Sequence, residues 1–307
     1  MLNRRELLSA GAAVAVAGAI PATDDKPRLI DVHTHFYDPT RKGGVPWPGK
    51  GDKVLYRPVL PKEFAELAKP HGVTGTVVVE ASPLVEDNQW LLDLAKDNPV
   101  IVGVVGRLLL TELDFAKNLV RFAKNPLFRG IRVNEGEVRE ALKDDKQLDR
   151  LKALSDNGLT LDLNGGPDTF LRAAEVSAEL PKLRIMVNHM GNPLIDGKEP
   201  PAAWKKAVAT GAEANDNVYC KLSALVDSTR KRAAAPTDLA FYTPVLDVIW
   251  KAFGADRLLY GSNWPVSDLY AKYATVFALA SKFVAGKGKD AFAKVFGANA
   301  VKAYRLL

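Results

Sequence analysis

The chain has 307 residues, of which 47% are hydrophobic and 25% charged, and its formal net charge at neutral pH is +6. This composition is typical of a folded globular protein and excludes a chain that is disordered over most of its length. The basic residues are scattered among acidic ones, and the sequence has no nucleic-acid-binding motif. We therefore expect a small-molecule substrate, with some preference for an anionic one, and no nucleic-acid partner. The sequence leaves the oligomeric state open.

Residues 1–22 have the layout of a secretory signal with a twin-arginine head. Arg4 and Arg5 precede an uncharged run of small residues over 9–20, and cleavage is expected by Ala22. The apolar run is too short for a good transmembrane span. We expect export to the periplasm and a mature protein without a stable membrane span; an ordinary secretory signal or an N-terminal anchor is the alternative.

Beyond the leader, short β-rich apolar runs alternate with longer stretches of helical period, a pattern typical of βα units around a parallel sheet. The predicted strands are 28–35, 73–82, 100–109, 130–134, 159–164, 184–189, 218–223 and 257–263. The helices predicted between them are 61–69, 86–96, 112–124, 145–157, 168–180, 202–214 and 242–253. Two more helices, 268–283 and 290–304, follow the last strand.

Eight such units predict a (β/α)8 TIM barrel that forms one domain over residues 28–307. An open doubly wound sheet would also alternate, but its Gly-rich phosphate turn is missing after the first strand. The longest loop, 36–60, is expected to cover the active site, because connections of that length usually have a role.

Histidines stand at the ends of two predicted strands, and the C-terminal strand ends are where such barrels build their active sites. His33 and His35 are two residues apart, so they share one face of the first strand, with Asp31 one layer below. His189 ends the sixth strand. The fourth histidine, His71, is predicted to cap a helix.

Further polar side chains at strand ends complete a ring, and its cations are suited to hold a carboxylate or a carbonyl oxygen. Its predicted members are Arg132, Asp162, Asn164, Lys221 and Ser223, with Glu80 and Ser82 as weaker candidates. Cys220 is the only cysteine, which excludes an intramolecular disulfide and a cysteine-based metal cluster. Any metal would need histidine and carboxylate ligands.

Four motifs in order along the chain resemble the amidohydrolase-related family, and within it the branch of sugar-lactone and 2-pyrone-4,6-dicarboxylate lactonases. The motifs are IDVHTH at 30–35, NHMGNP at 188–193, VYCKLS at 218–223 and YGSNWPV at 260–266. The resemblance runs from about residue 28 to the C-terminus.

The resemblance implies a hydrolase in which water attacks a lactone carbonyl, a strand-eight carboxylate takes its proton and histidines stabilise the oxyanion. His33, His35 and His189 match the family histidines, which some branches use to bind one divalent metal, zinc or manganese. The dicarboxylate lactonase branch is understood to work without a metal. Arg132 matches the substrate arginine, and Trp264 in the last motif is assigned to substrate binding.

Asn263 departs from the family motif, which usually has Asp at this position. An amide cannot accept the proton of water, and it is a weaker metal ligand than a carboxylate. Asn263 remains a predicted catalytic residue that orients water or a carbonyl, with Asp31, Asp162 or Asp268 as the alternative base. Two other functions stay open: a metal-dependent decarboxylase of a small unsaturated acid, and a binding barrel that has lost its base.

Overall fold

The sheet of this protein consists of eight parallel strands that neighbour one another in chain order. The computed structural model describes residues 28–307, so the leader predicted at 1–22 lies outside the described residues. The strands are β1 (Leu29–Thr34), β2 (Val73–Val79), β3 (Ile101–Gly106), β4 (Phe128–Asn134), β5 (Thr160–Asn164), β6 (Arg184–Val187), β7 (Val218–Leu222) and β8 (Leu258–Tyr260).

The sheet closes on itself where the ends of β1 and β8 meet. The backbone N–H of His35 donates to the carbonyl of Trp264 at 2.9 Å, and that of Asn263 donates to the carbonyl of His33 at 2.9 Å. A Cβ atom at Gly261 would stand 2.8 Å from the Cβ of His33, so only glycine permits this close approach. The predicted (β/α)8 barrel is confirmed.

Helices surround the barrel and connect its strands. They are α1 (Pro61–Ala68), α2 (Val85–Lys96), α3 (Phe115–Ala123), α4 (Glu135–Ala141), α5 (Asp145–Asp156), α6 (Thr169–Glu179), α7 (Ala202–Ala214), α8 (Thr243–Phe253), α9 (Tyr273–Ala285), α10 (Lys289–Ala293) and α11 (Asn299–Tyr304). Within residues 28–307, no helix has both the length and the apolar character needed to cross a membrane.

Three helical segments differ from the prediction. The seven-residue α4 was not predicted; a capping box between Asn134 and Glu137 starts it. The helix predicted over 268–283 begins only at Tyr273, because a short 3₁₀ turn, Val266–Leu269, precedes it. The helix predicted over 290–304 is interrupted by a π-helical turn, Lys294–Ala298.

The barrel interior contains a buried ion pair among mostly apolar side chains. Lys221 and Asp162 pair at 2.5 Å with both side chains fully buried. Tyr304 of α11 packs among the apolar side chains of the barrel interior, and its hydroxyl donates to Asp162 at 3.0 Å. The C-terminal helix thus helps to fill the barrel beneath the site.

Candidate active site

A cavity of about 410 Å³ lies at the C-terminal ends of the strands, where barrel enzymes bind their substrates. This volume is in the range of small-molecule sites. The predicted site residues on its wall are His35, His189, Arg132, Asn164 and Asn263. The long loop at 36–60 also contributes, because its Trp47 lines the cavity and packs edge-on against His35 at 6.2 Å between ring centroids.

Three histidine rings meet below and beside this cavity. The ring centroid of His33 lies 5.0 Å from that of His35 and 4.4 Å from that of His189. Burial lowers the pKa of His33 and His189 well below the usual value, with Lys221 adding repulsion, and lowers the pKa of His35 to about 3. All three rings are therefore neutral at neutral pH, and their neighbours decide which nitrogen carries the hydrogen.

Lys221 determines the hydrogen position on His33. The lysine Nζ lies 2.5 Å from the carboxylate of Asp162, 3.2 Å from the carbonyl of Val32 and 3.2 Å from His33 Nδ1. These three acceptors use the three hydrogens of an ammonium group, so His33 Nδ1 accepts. The hydrogen of His33 then resides on Nε2, which has no hydrogen-bond partner within residues 28–307.

Ser223 determines the hydrogen position on the ring of His189. Its Oγ accepts from the backbone N–H of His189 at 3.2 Å and lies 2.8 Å from His189 Nδ1. Within residues 28–307 the hydroxyl hydrogen of this buried serine has no acceptor other than Nδ1, so it donates to Nδ1 and the hydrogen of the His189 ring lies on Nε2. His189 therefore offers an N–H donor to the cavity.

His35 has the opposite polarity. Its Nδ1 lies 2.9 Å from the carbonyl of Val79, which can only accept, so Nδ1 carries the hydrogen. Its Nε2 keeps the lone pair and lies 3.3 Å from Oδ1 of Asn263. The site thus combines N–H donors on His33 and His189 with an acceptor on His35.

Three residues predicted to bind substrate lie behind the cavity wall, which corrects their expected roles. Lys221 is fully buried against Asp162 and orients His33, while Ser223, also fully buried, orients His189. Trp264 is fully buried between aromatic rings, 5.8 Å from the ring of Phe64. These side chains support the site from within the barrel.

Two predicted members of the polar ring do face the cavity. Arg132 lines it, and its Nε donates to the carboxylate of Glu80 at 2.8 Å, which leaves the rest of the guanidinium available. Asn164 lines it beside Asn134, 3.4 Å away. Ser82 instead accepts from the backbone N–H of Leu84 at 3.1 Å in the next loop.

The three carboxylates suggested as the base are all off the cavity wall and in contact with other groups. Asp31 is fully buried and accepts from Ser262 N at 2.9 Å and His33 N at 3.1 Å; burial raises its pKa to about 6. Asp162 is held by Lys221. Asp268 lies off the cavity wall, with Arg57 at 4.0 Å.

A carboxylate that the sequence did not reveal, Asp227, lies on the cavity wall. It begins a 3₁₀ turn, Asp227–Thr229, in the loop that follows β7. Its Oδ1 accepts from the Asn263 amide at 2.9 Å. Asp227 stands four residues beyond the VYCKLS motif, and no spacing rule singles it out, since loop geometry brings it to the site.

The donor set does not fit a bound metal. Within residues 28–307, no group of three or more His, Cys, Asp or Glu side chains is arranged as metal ligands. A metal on Nε2 of His33 or His189 would require the ring hydrogen to move to Nδ1, where Lys221 and Ser223 stand as donors and oppose this shift. Asn263 adds a neutral oxygen in place of a carboxylate.

A family model described as Amidohydrolase matches residues 30–306 of the sequence. The chain belongs to this amidohydrolase family, and the predicted resemblance is confirmed. The protein is accordingly a hydrolase.

Among the relatives, an L-fucono-1,5-lactonase from Burkholderia ambifaria is 32% identical over 290 residues, which cover 90% of this chain and 95% of that protein. A second L-fucono-1,5-lactonase, from Burkholderia multivorans, is 30% identical over 289 residues, with 90% and 96% covered. The crystal structure of an amidohydrolase from Burkholderia multivorans with bound zinc is similar to this fold, with a TM-score of 0.81 and 27% identity. That alignment covers 91% of this chain and 100% of the other.

Proposed function

We propose that this protein hydrolyses the lactone of a small sugar-derived or anionic acid, by attack of water on the ring carbonyl. The observation that carries the proposal is the pair of donors on the cavity wall, the Nε2–H of His189 and the guanidinium of Arg132. The two relatives that are 32% and 30% identical to this protein, each over 90% of the chain, are both L-fucono-1,5-lactonases. A cyclic ester of a polyhydroxy acid suits a small polar cavity of this kind.

The donors act on the carbonyl oxygen, where negative charge develops when water attacks. A neutral imidazole N–H and a guanidinium stabilise such an oxyanion without needing to move, because their neighbours already hold them. Glu80 holds Arg132, and Ser223 holds His189. Asn164 supplies an amide for the hydroxyl groups of a sugar-derived ring.

We further propose that this reaction proceeds without a bound metal. The hydrogens on His33 and His189 and the amide at position 263 support this, since each weakens a metal site. Dialysis of the purified enzyme against a chelator is expected to leave kcat within about twofold of its starting value. A loss of activity that zinc or manganese restores would contradict this part of the proposal.

The test of the function is a panel of 1,4- and 1,5-lactones of five- and six-carbon sugar acids, followed by acid release and by analysis of the products. We expect the open hydroxy acid and no carbon dioxide. Carbon dioxide release from an unsaturated acid would instead support the decarboxylase alternative. Failure to turn over any lactone, combined with tight binding of one, would support the binding-barrel alternative.

We also propose that residues 1–22 export the folded protein to the periplasm by the twin-arginine route, as the paired Arg4 and Arg5 and the uncharged run after them indicate. Fractionation of cells expressing the full chain should recover it from the periplasm. Replacement of both arginines by lysine is expected to retain it in the cytoplasm. Export that persists in this variant would indicate an ordinary secretory signal.

A further inference from the structure

Asp227 has one satisfied and one unsatisfied oxygen. Its Oδ1 accepts from Nδ2 of Asn263 at 2.9 Å, whereas Oδ2 is shielded from solvent and has no hydrogen-bond partner within residues 28–307. Buried polar atoms without a partner are rare, and a carboxylate with one unsolvated oxygen is a stronger proton acceptor than a solvated one. No other aspartate or glutamate lines the cavity in the described part of the chain.

Resting on the lactone hydrolysis proposed above, we propose that Asp227 is the general base that takes the proton of the attacking water. It would replace the carboxylate that the family carries on strand eight, where this chain has Asn263. The catalytic carboxylate would thus lie in the loop after β7 and not at the end of β8, and one hydrogen bond joins the two positions.

The amide at position 263 is suited to a carboxylate at position 227. Asn263 donates its Nδ2 to Asp227 and turns its Oδ1 toward His35 Nε2, 3.3 Å away. An aspartate at 263 would have no hydrogen to donate, and two ionised carboxylates in contact would repel each other. The loss of the strand-eight aspartate and the presence of Asp227 are therefore consistent with each other.

The same arrangement provides a place for the water. Neither His35 Nε2 nor Asn263 Oδ1 carries a hydrogen, so both atoms are acceptors and neither can donate to the other. A water beside Asp227 can donate one hydrogen to this pair and the other to the second lone pair of Asp227 Oδ1. Its oxygen lone pair is then free to point at the carbonyl carbon of a bound lactone.

The step balances without any co-reactant. A lone pair of the water oxygen forms the bond to the carbonyl carbon, the carbonyl π pair moves to oxygen, and the water proton passes to Asp227. When the oxyanion collapses, the ring C–O bond breaks and the proton on Asp227 moves to the departing alkoxide. The product is the open hydroxy acid, and Asp227 is again ionised.

The surroundings tune Asp227 for this task. Burial raises the pKa of Asp227 to about 7, the Asn263 hydrogen bond opposes the rise, and the nearby Asp268 adds to it. Tyr242, just before α8, is also near Asp227: burial raises the pKa of its phenol, and the charge of Asp227 adds to the rise. A base with a pKa near 7 combines ionisation at neutral pH with strength as a proton acceptor.

The direct test is the isosteric Asp227→Asn variant, which keeps the acceptor for the Asn263 amide. We expect kcat to fall by about 10²–10⁴-fold, the usual contribution of a general base, with little change in KM. The matched control is Asp247→Asn, which removes an exposed carboxylate that pairs with Lys287 at 3.0 Å, off the cavity wall, and should retain activity. Activity of Asp227→Asn within about threefold of wild type, in a folded protein, would overturn the proposal.

A second variant, Asp227→Asn with Asn263→Asp, exchanges the two side chains across their hydrogen bond. Asn and Asp both tolerate the left-handed backbone at position 263, where φ is 63°. We expect this exchange to recover at least about tenfold of the lost kcat. If the single variant does not fold, the pH profile of the folded exchange variant decides the matter: an acidic limb shifted from that of the wild type supports the proposal, and an unshifted limb overturns it.

The pH profile adds an independent readout. Because the base must be ionised, kcat/KM of the wild type should rise with pH through about 7, and the exchange variant should shift this limb. A wild-type limb that the exchange leaves in place would overturn the role of Asp227. A wild type that opens no lactone overturns the proposed function together with this inference, whereas an active wild type with an unimpaired Asp227→Asn overturns only the inference.

Discussion

Replacement of Lys221 by methionine is expected to lower the free energy of unfolding by about 3–5 kcal/mol, because it leaves the buried carboxylate of Asp162 without its cation. Both side chains are fully buried inside the barrel. The hydroxyl of Tyr304 would remain as a neutral donor to Asp162, which is too little to compensate the charge. Chemical denaturation measured at neutral pH tests this expectation.

The double variant Lys221→Met with Asp162→Asn separates charge burial from packing. It removes both charges, so most of the lost stability should return, since neutral groups replace a buried ion pair at little cost. Lys152→Met, which breaks an exposed pair with Asp156, serves as the matched control and should change stability little. A double variant as unstable as the single one would show that packing, and not the unpaired carboxylate, caused the loss.

Replacement of His189 by alanine is expected to lower kcat/KM for a lactone by about 10²–10³-fold, the usual effect of removing an oxyanion donor. The neutral ring of His189 offers its Nε2–H to the cavity because Ser223 occupies Nδ1. Steady-state kinetics on the best lactone of the panel measure the effect. His71→Ala is the matched control, since His71 packs on Phe277, 4.9 Å away, outside the cavity wall.

Replacement of Ser223, the hydrogen-bond partner of His189, tests the same donor with a smaller expected effect. Ser223→Ala removes the hydroxyl that fixes the ring hydrogen on Nε2, so we expect a smaller loss of about tenfold. A His189→Ala enzyme that retained wild-type activity would remove this ring from the mechanism. It would also leave Arg132 as the donor that carries oxyanion stabilisation.

The architecture could be predicted because local patterns carry it. Alternation of apolar runs with helical stretches defines eight βα units, and closure of the barrel follows from their number. The errors fall where local signals are weak: α4 is only seven residues long, and the π-helical turn at Lys294–Ala298 interrupts a stretch whose period is continuous. Helix ends depend on such local contacts, which periodicity does not report.

Part of the site could be predicted for the same reason. His33 and His35 share a face through the period of two in a strand, and strand ends converge at one rim of a barrel. The cavity accordingly contains His35, His189, Arg132 and Asn164 on its wall. Their catalytic roles remain predictions until the variants are measured.

The sequence by itself determined the family, the barrel and the set of histidines, because these depend on residue types at regular spacing. Tertiary structure alone decided which nitrogen of each ring carries hydrogen, since Lys221 on β7 reaches His33, and Ser223 just after β7 reaches His189, only through the packing of the barrel. It alone decided that Lys221 and Trp264 stand behind the cavity and that Asp227 stands on it. Burial and hydrogen-bond partners arise from the packing of distant segments, and no local pattern in the sequence encodes them.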